Sequence, residues 1–394
     1  MQCEPSTSRA RVLILSNLYP SSRAPHGGVF VTQRIKALRA TGMDVRALAI
    51  RPTLPPSAAA ILRAIGRPLA TVDDDLFTDC PVALNGVQAR HILKQRTSFS
   101  AVSRATERVL KITGSEPFDV IHAHGMYDIP AGAVARELSR RWSIPYVVSL
   151  HGSDIKTNMA SQLAEFKRVL DQASALTFVS HDLRRSFSEK GGLLEKSRVV
   201  PNGIDPSVFN TTDKHTLKRS GHLRIAYVGN LSPVKGADRL PKICEEVVRR
   251  RPNAHFTIVG EGPLRASLER KMHHMPVTFT GFLDQPSIAE LMRCSDALIM
   301  PSRSEGWPCV VLEAHACGLR VIGTAVGGVP EAVGDAAMVV EPGPDLEVRM
   351  AELVSETIVK PVDTATLTSR ARRYTWAQVA QEEAAIYEEA LSGT

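Results

Sequence analysis

Aromatic residues are scarce in this chain of 394 residues, where Phe, Trp and Tyr together make up 5%. That leaves little for stacking on bases. No DNA- or RNA-binding motif accompanies them, so nucleic acid is not an expected partner. Long apolar runs are also missing. Ala297 to Met300 and Val310 to Leu312 fall far short of the roughly 20 residues that span a bilayer. The start, MQCEPSTSRA, leads straight into Val12 to Leu15 without the apolar stretch of a secretory signal, and the expectation is a cytoplasmic protein. Six cysteines, Cys3, Cys80, Cys244, Cys294, Cys309 and Cys317, show no C-x-x-C pair or zinc-ligand spacing. This reads as reduced thiols without chemistry, and excludes a disulfide framework.

What remains is ordinary globular material, 43% hydrophobic and 23% charged, in a chain longer than one core usually serves. Two domains are expected. The net charge of +7 is unevenly spread: residues 1–200 hold 27 Lys+Arg against 17 Asp+Glu, and residues 201–394 hold 21 against 24. A basic first half suits an anionic substrate or an anionic membrane surface.

Short β-branched or Leu-rich runs recur with room for a helix between them: Val12–Ser16, Val45–Ile50, Val120–His122, Tyr146–Leu150, Ala175–Ser180 and Arg198–Val200. This is the βαβ rhythm of a parallel sheet. A stretch rich in Pro, Gly, Asn and Asp follows, PNGIDPSVFN and on to Gly221, and reads as a linker. The rhythm restarts at Arg224–Val228, His255–Val259, Val277–Thr280, Asp296–Met300, Arg320–Ile322 and Met338–Val340, with helices at Ala237–Arg250 and Ser287–Arg293. The expected division is an α/β domain over 1–205, a second over 206–375, and an acidic amphipathic helix over 376–394 that packs back on the first. Residues 52–110 show no clear period and stay unassigned.

Ligands of open parallel sheets sit at the carboxyl ends of strands. There the second half carries PSRSEGWPCVVLEAHACG, residues 301–318. Pro308 is expected in a first helical turn, which needs no amide hydrogen from it. The amides of Cys309, Val310 and Val311 would then face out of a helix N-terminus, a ready diphosphate site, with Glu305 on the preceding loop and Glu313 on the helix. Two glutamates alone would read as solvated carboxylates. In the first half, Gly27 and Gly28 precede a helix and let backbone approach a phosphate. His151 stands in HGSD at a strand end, and His122 and His124 form an H-x-H, read as pocket lining and not as a metal site.

The segment Glu305 to Glu313 resembles the EGxPxxxxE signature of glycosyltransferase family 4, retaining enzymes of the GT-B fold. The resemblance covers nearly the whole chain: HGGVFVTQRIKAL (26–38), DVIHAHGMY (119–127), VVSLHGSD (147–154), PNGID (201–205), YVGNLSPVKGAD (227–238), VGEGPLR (259–265), TGFL (280–283) and GTAVGGVPE (323–331) occur in the family's order. It implies two Rossmann-like domains with parallel sheets facing across a cleft. Glu305 would contact the donor sugar as a catalytic residue, and Glu313 would accept from the ribose hydroxyls. Lys235 would neutralise the departing diphosphate, and His151 would touch the sugar near its C6 hydroxyl. Gly27, Gly28, Gly260, Gly306, Trp307, Cys309, Val310 and Val311 join the donor-binding set, with backbone at Leu283 reading the base. His124 and Asp154 fall on the acceptor side. Asn230 departs from the pattern, because family members commonly carry Arg there. Leaving-group stabilisation would rest more on Lys235 and the helix dipole, unless another Arg substitutes.

The resemblance further implies a nucleotide-sugar donor, UDP-linked in preference to GDP-linked, retention of the anomeric configuration, and no cofactor. No divalent metal is expected, since no D-x-D element accompanies these motifs. DVIHAHGMY and VVSLHGSD look most like members that assemble teichuronic acid and exopolysaccharides. With the basic, apolar-interleaved segment 90–111, they suggest a lipid-linked or glycan acceptor at an anionic membrane. The alternatives are a soluble natural-product acceptor, a sugar-nucleotide epimerase of related architecture, a pyridoxal-dependent phosphorylase, for which no cofactor-lysine segment is found, and a non-enzymatic scaffold.

Overall fold

The computed structural model describes residues 10–22, 27–54, 71–86, 88, 97–212 and 222–393. They fall into two compact units, one within Met1–Pro201 and Trp376–Thr394, the other within Asn202–Thr375.

Unit 1 is a seven-stranded sheet in the order β3-β2-β1-β4-β5-β6-β7, every pairing parallel. Its strands are β1 (Arg11–Ser16), β2 (Asp44–Thr53), β3 (Phe77–Ala83), β4 (Val120–His124), β5 (Tyr146–Leu150), β6 (Ala175–Phe178) and β7 (Ser197–Val199). Central strands buried on both faces read as continuous apolar runs, which is why β1, β4 and β5 were legible. β3 lies in the stretch without a period. It is an edge strand with partial burial, and it carries Pro81, which only an edge tolerates well. β6 stops two residues short of the expected end because Ser180 is already the cap of the next helix, its hydroxyl accepting from Leu183 N at 3.2 Å.

The core of unit 1 joins Val12, Ile14, Val45, Val120 and Val147 to Val31, Ile35 and Leu38 of helix α1 (Val29–Ala40). Helix α2 (Val102–Thr113) covers the sheet with Val102, Ala105 and Val109. The last helix described also belongs here. We label it α4 (Trp376–Ser392), and Val379, Ala380, Ile386 and Tyr387 lie in the same core. Those residues recur at helical spacing, so one face is buried while Glu382, Glu388 and Glu389 stay exposed. Burying each such side chain contributes roughly 1.5–3 kcal/mol.

Unit 2 repeats the plan with six parallel strands, ordered β10-β9-β8-β11-β12-β13. They are β8 (Leu223–Val228), β9 (Ala254–Val259), β10 (Val277–Gly281), β11 (Ala297–Met300), β12 (Val321–Thr324) and β13 (Val339–Val340). The boundary falls before Asn202, four residues earlier than expected from sequence. PNGID does not connect freely: Ile204 N donates to Tyr374 O at 2.8 Å, and Ile204 bridges Thr375. In both sheets the order reverses beside the first strand of the unit, between β1 and β4 and between β8 and β11. Loops leaving those strands part there and open a crevice.

Candidate active site

At the switch point of unit 2, the loop leaving β8 carries Lys235 and the loop leaving β11 carries Glu305. Gly236 makes their approach possible. Its φ of +68° is left-handed, and a Cβ there would stand 1.9 Å from the Pro301 carbonyl oxygen. Across this contact Lys235 Nζ donates to both carboxylate oxygens of Glu305, at 2.8 and 2.7 Å, and Ser302 Oγ donates to Glu305 Oε1 at 2.7 Å. Glu305 is only 7% exposed. Burial of that carboxylate is tolerable because its charge is matched and its oxygens are hydrogen-bonded. Tyr227 Oη donates to the carbonyl of Asn230 at 3.0 Å and holds the start of the lysine loop.

After Gly306 the chain enters α3 (Cys309–Ala316). Pro308, expected in the first helical turn, is the cap just before it, with extended ψ of 92°. Its carbonyl takes the amide of Val311 at 3.0 Å. The helix start is therefore presented by Cys309 and Val310, while Val311 is committed inside it. Glu313 is half-buried one turn on, and among the described residues no donor pairs with its carboxylate. Desolvation pushes its pKa up to about 7. A carboxyl held in this way gains from any ligand that brings hydroxyl donors.

Trp307 does not face outward. It is 6% exposed, its indole N–H donates to Asn202 O at 3.1 Å, and its ring lies 5.3 Å from that of Tyr374. It braces the turn. Gly260 follows β9 and donates its N–H to Gly281 O at 2.8 Å, and half-buried Leu283 follows β10 just before the capping Asp284. Asn230 is exposed. The arginine nearest in the chain to Glu305, Arg303, is committed to Asp238 at 2.6 and 2.8 Å and to the Pro233 carbonyl at 2.7 Å. It does not stand in for the missing family Arg.

Unit 1 places its own candidates at the carboxyl ends of β1, β4 and β5. Gly27 and Gly28 lead into α1, and Gly28, φ +67°, packs against the backbone of Leu18 and Tyr19, where a Cβ would come within 2.3 Å. His151 follows β5. Its turn is built by Asp154, which is fully buried and accepts from the amides of His151 (3.1 Å), Gly152 (2.8 Å) and Ile155 (3.0 Å). Desolvation lifts the Asp154 pKa to about 6 against the pull of those amides. Expected on the acceptor side, Asp154 spends its oxygens on its own loop.

β4 runs two residues beyond its expected end, so His122 lies inside the strand and His124 closes it. Both are fully buried. His124 Nδ1 is 3.2 Å from His151 Nε2, with the rings 5.4 Å apart and 22° from parallel. Phe30 of α1 covers His151 at 4.8 Å. Burial lowers the pKa of all three histidines, that of His122 to about 3. They are neutral.

Below this pair lies a network that sequence reading missed. His122 Nδ1 is 2.6 Å from Tyr387 Oη and its Nε2 is 2.7 Å from Ser149 Oγ, which reaches Thr177 Oγ1 at 2.5 Å. One turn before Tyr387 in α4, Glu383 forms a buried ion pair with Arg34 of α1, and Arg34 Nη2 donates to Val200 O at 3.0 Å. The one available signal was an acidic residue on the apolar face of α4.

The expected absence of a D-x-D element does not hold, because Asp73–Asp75 form such a triplet before β3. There Asp74 accepts from Thr32 Oγ1 at 2.6 Å and from Leu76 N at 2.9 Å. Of the basic segment 90–111, Arg90, Ile92, Leu93, Lys94 and Arg96 lie outside the described residues. The described part is α2, whose apolar face is spent on the core, leaving Arg104, Arg108 and Lys111 exposed.

Two family models match the chain: a glycosyl transferase 4-like domain over residues 27–203 and glycosyl transferases group 1 over residues 222–358. It is 31% identical to the putative teichuronic acid biosynthesis glycosyltransferase TuaC of Bacillus subtilis, over 82% of this chain and 83% of that protein. It is 28% identical to the GDP-mannose-dependent monoacylated alpha-(1-6)-phosphatidylinositol monomannoside mannosyltransferase of Corynebacterium glutamicum, over 63% and 70% of the two chains. Among solved structures, Alr3699/HepE of Anabaena in complex with UDP superposes with a TM-score of 0.69 at 20% identity, covering 98% of this chain and all of the other.

Proposed function

Since the chain belongs to glycosyltransferase family 4 and has the GT-B fold, we propose that it transfers a sugar, with retention, from a nucleotide diphosphate donor, UDP-linked in preference to GDP-linked, to a lipid-linked glycan or glycolipid acceptor of cell-surface polysaccharide synthesis. The observation that carries the reading is the Lys235–Glu305 pair at the switch point of unit 2, with Glu313 unpartnered on the next helix. Glu313 takes the ribose hydroxyls. The start of α3 and the Lys235 ammonium face the diphosphate, and Glu305 accepts from the donor sugar. Lys235 is already charged and placed before the donor arrives. Its field needs no reorganisation as negative charge grows on the leaving phosphate, and such pre-set charge is the usual largest source of rate.

His151, held neutral, meets the sugar as a hydrogen-bonding group and not as a cation. The leaving phosphate takes the acceptor proton on the same face, which gives retention without a protein nucleophile. Lys235 and the helix start do the work of a divalent metal, so activity persists in EDTA. Support for the acceptor class comes from the relatives named for teichuronic acid and phosphatidylinositol mannoside synthesis. Among the described residues no helix is long and apolar enough to cross a membrane. With the apolar face of α2 buried, attachment to the inner membrane surface rests on its exposed cations, each worth about 1 kcal/mol near anionic lipid.

A donor panel assayed for nucleotide release, with EDTA and with or without a lipid-linked acceptor, tests this. Acceptor-dependent release of UDP from a UDP-sugar is expected, and release that needs added metal, or none with any nucleotide sugar, contradicts it.

A further inference from the structure

The cluster around His122 lies outside the donor machinery, yet it touches it at one place. His122 has a partner on each nitrogen, Tyr387 Oη at 2.6 Å and Ser149 Oγ at 2.7 Å, so its ring can neither flip nor tilt without losing a buried hydrogen bond. Residues two apart on a strand share a face. The ring of His122 accordingly backs that of His124, centroids 4.3 Å apart, and Tyr387 meets His122 edge-on at 5.6 Å. The position of His124 in turn sets the 3.2 Å contact with His151.

That contact has a consequence for protons. A neutral imidazole carries one N–H. If His124 Nδ1 donates to His151 Nε2, then His151 holds its proton on Nδ1 and His124 Nε2 is bare; if the donation runs the other way, both outer nitrogens exchange roles. Those outer nitrogens, His124 Nε2 and His151 Nδ1, are buried without a partner among the described residues. One is a donor and the other an acceptor. The orientation of His124 therefore governs which hydrogen-bonding character His151 offers a ligand.

We propose that Tyr387, on the last helix of the chain and 236 positions beyond His151, is a positioning residue for that histidine: by clamping His122 it holds His124 at the distance and angle that fix the proton of the His124–His151 pair. Helix α4 is itself tied down one turn earlier by the buried Arg34–Glu383 pair, so the clamp does not drift. The inference rests on the reading of His151 as a residue that touches the donor sugar.

The test uses the full chain and Tyr387→Phe, which keeps the ring and removes only the hydroxyl. Side-chain 15N spectra of the donor-free protein report the tautomers of His122, His124 and His151, and steady-state kinetics report kcat and the donor KM. Expected are shifted or exchange-broadened signals from His124 and His151, a kcat about tenfold lower with donor KM within about twofold, and no further loss when Tyr387→Phe is added to His151→Ala. Should Tyr387→Phe fail to fold, Ser149→Ala removes the opposite clamp and the same outcomes apply. Unchanged His124 and His151 signals overturn the proposal. So does a kcat loss of equal factor in the His151→Ala background, which would mean that Tyr387 acts without His151. If His151→Ala itself leaves kcat intact while the 15N signals still respond to Tyr387→Phe, it is the functional reading of His151 that falls and not the clamp.

Discussion

The two units share one topology and hold their functional groups in opposite ways. Unit 1 gathers three histidines, keeps them neutral by burial, and fixes them through hydrogen bonds and ring packing to a helix from the other end of the chain. Unit 2 gathers charge: a lysine on a buried glutamate, and a second glutamate with no partner among the described residues. At its strand ends unit 1 offers shape and hydrogen-bond character, and unit 2 offers charge. The difference teaches that a parallel sheet decides only where a site lies; the residues at the strand ends decide whether its currency is geometry or field.

Breaking the charged half should cost most. Lys235→Ala is expected to lower kcat by about 10²–10³-fold with a donor KM change below tenfold, because the ammonium acts mainly as the diphosphate departs. Nucleotide-release kinetics measure this, and equal effects on kcat and KM would reduce Lys235 to a ground-state contact. Glu305 keeps Ser302 as a donor in that variant, so a circular-dichroism melt checks that the loss is not one of folding.

Acid should find the neutral half first. His122, His124 and His151 have folded pKa values below the unfolded 6.5, so the unfolded chain takes up their protons first. The stability they protect is complete above pH 6.5 and is lost as pH falls towards their folded values. Asp154, with a folded pKa raised to about 6, opposes this, as do Asp128, Glu382 and Glu383, all raised by burial. In unit 2, among the described residues, burial lowers His315 to about 4 and raises Glu313 to about 7. Three lowered histidines packed on one another at the ends of β4 and β5, against one in unit 2, place the sharper acid response in unit 1. Hydrogen exchange between pH 7 and pH 5 should show protection falling more in β4 and β5 than in β8 and β11; the reverse would sink the contrast.

A smaller effect of opposite sign belongs to Glu313. A carboxyl with a raised folded pKa contributes against stability as pH rises from about 4.5 through 7. Glu313→Gln should therefore melt about 2–4 °C higher at pH 8, on the order of 1 kcal/mol, and show no gain at pH 5. Smallest is Asn230→Arg, which restores the family's second cation at an exposed position and should tighten donor binding by about three- to tenfold, read by titration at low salt.

The contrast also explains what the sequence disclosed. Glu305, Glu313, Lys235 and His151 each sit just after a legible apolar strand or on the helix that follows, inside a continuous motif, so their places could be read. Their partners could not. Lys235 meets Glu305 across 70 positions, Tyr387 meets His122 across 265, and Glu383 meets Arg34 across 349, and nothing local announces such contacts. Polar residues inside a motif also misled. The resemblance places Asp154 and Trp307 among ligand contacts, yet one holds its own backbone turn and the other braces against Asn202. Strand β3 was hidden by Pro81 and by partial burial, which remove the apolar run that marks central strands.

Calorimetric titration of UDP into the wild-type chain and into Glu313→Ala, both in EDTA, tests the central claim that unit 2 is the nucleotide diphosphate site. The account predicts metal-free binding that weakens about ten- to a hundredfold in the variant, since a carboxylate-to-hydroxyl bond is worth roughly 1.5–3 kcal/mol. Equal affinity in the two proteins, or no binding of UDP or GDP to the wild type without metal, would contradict it.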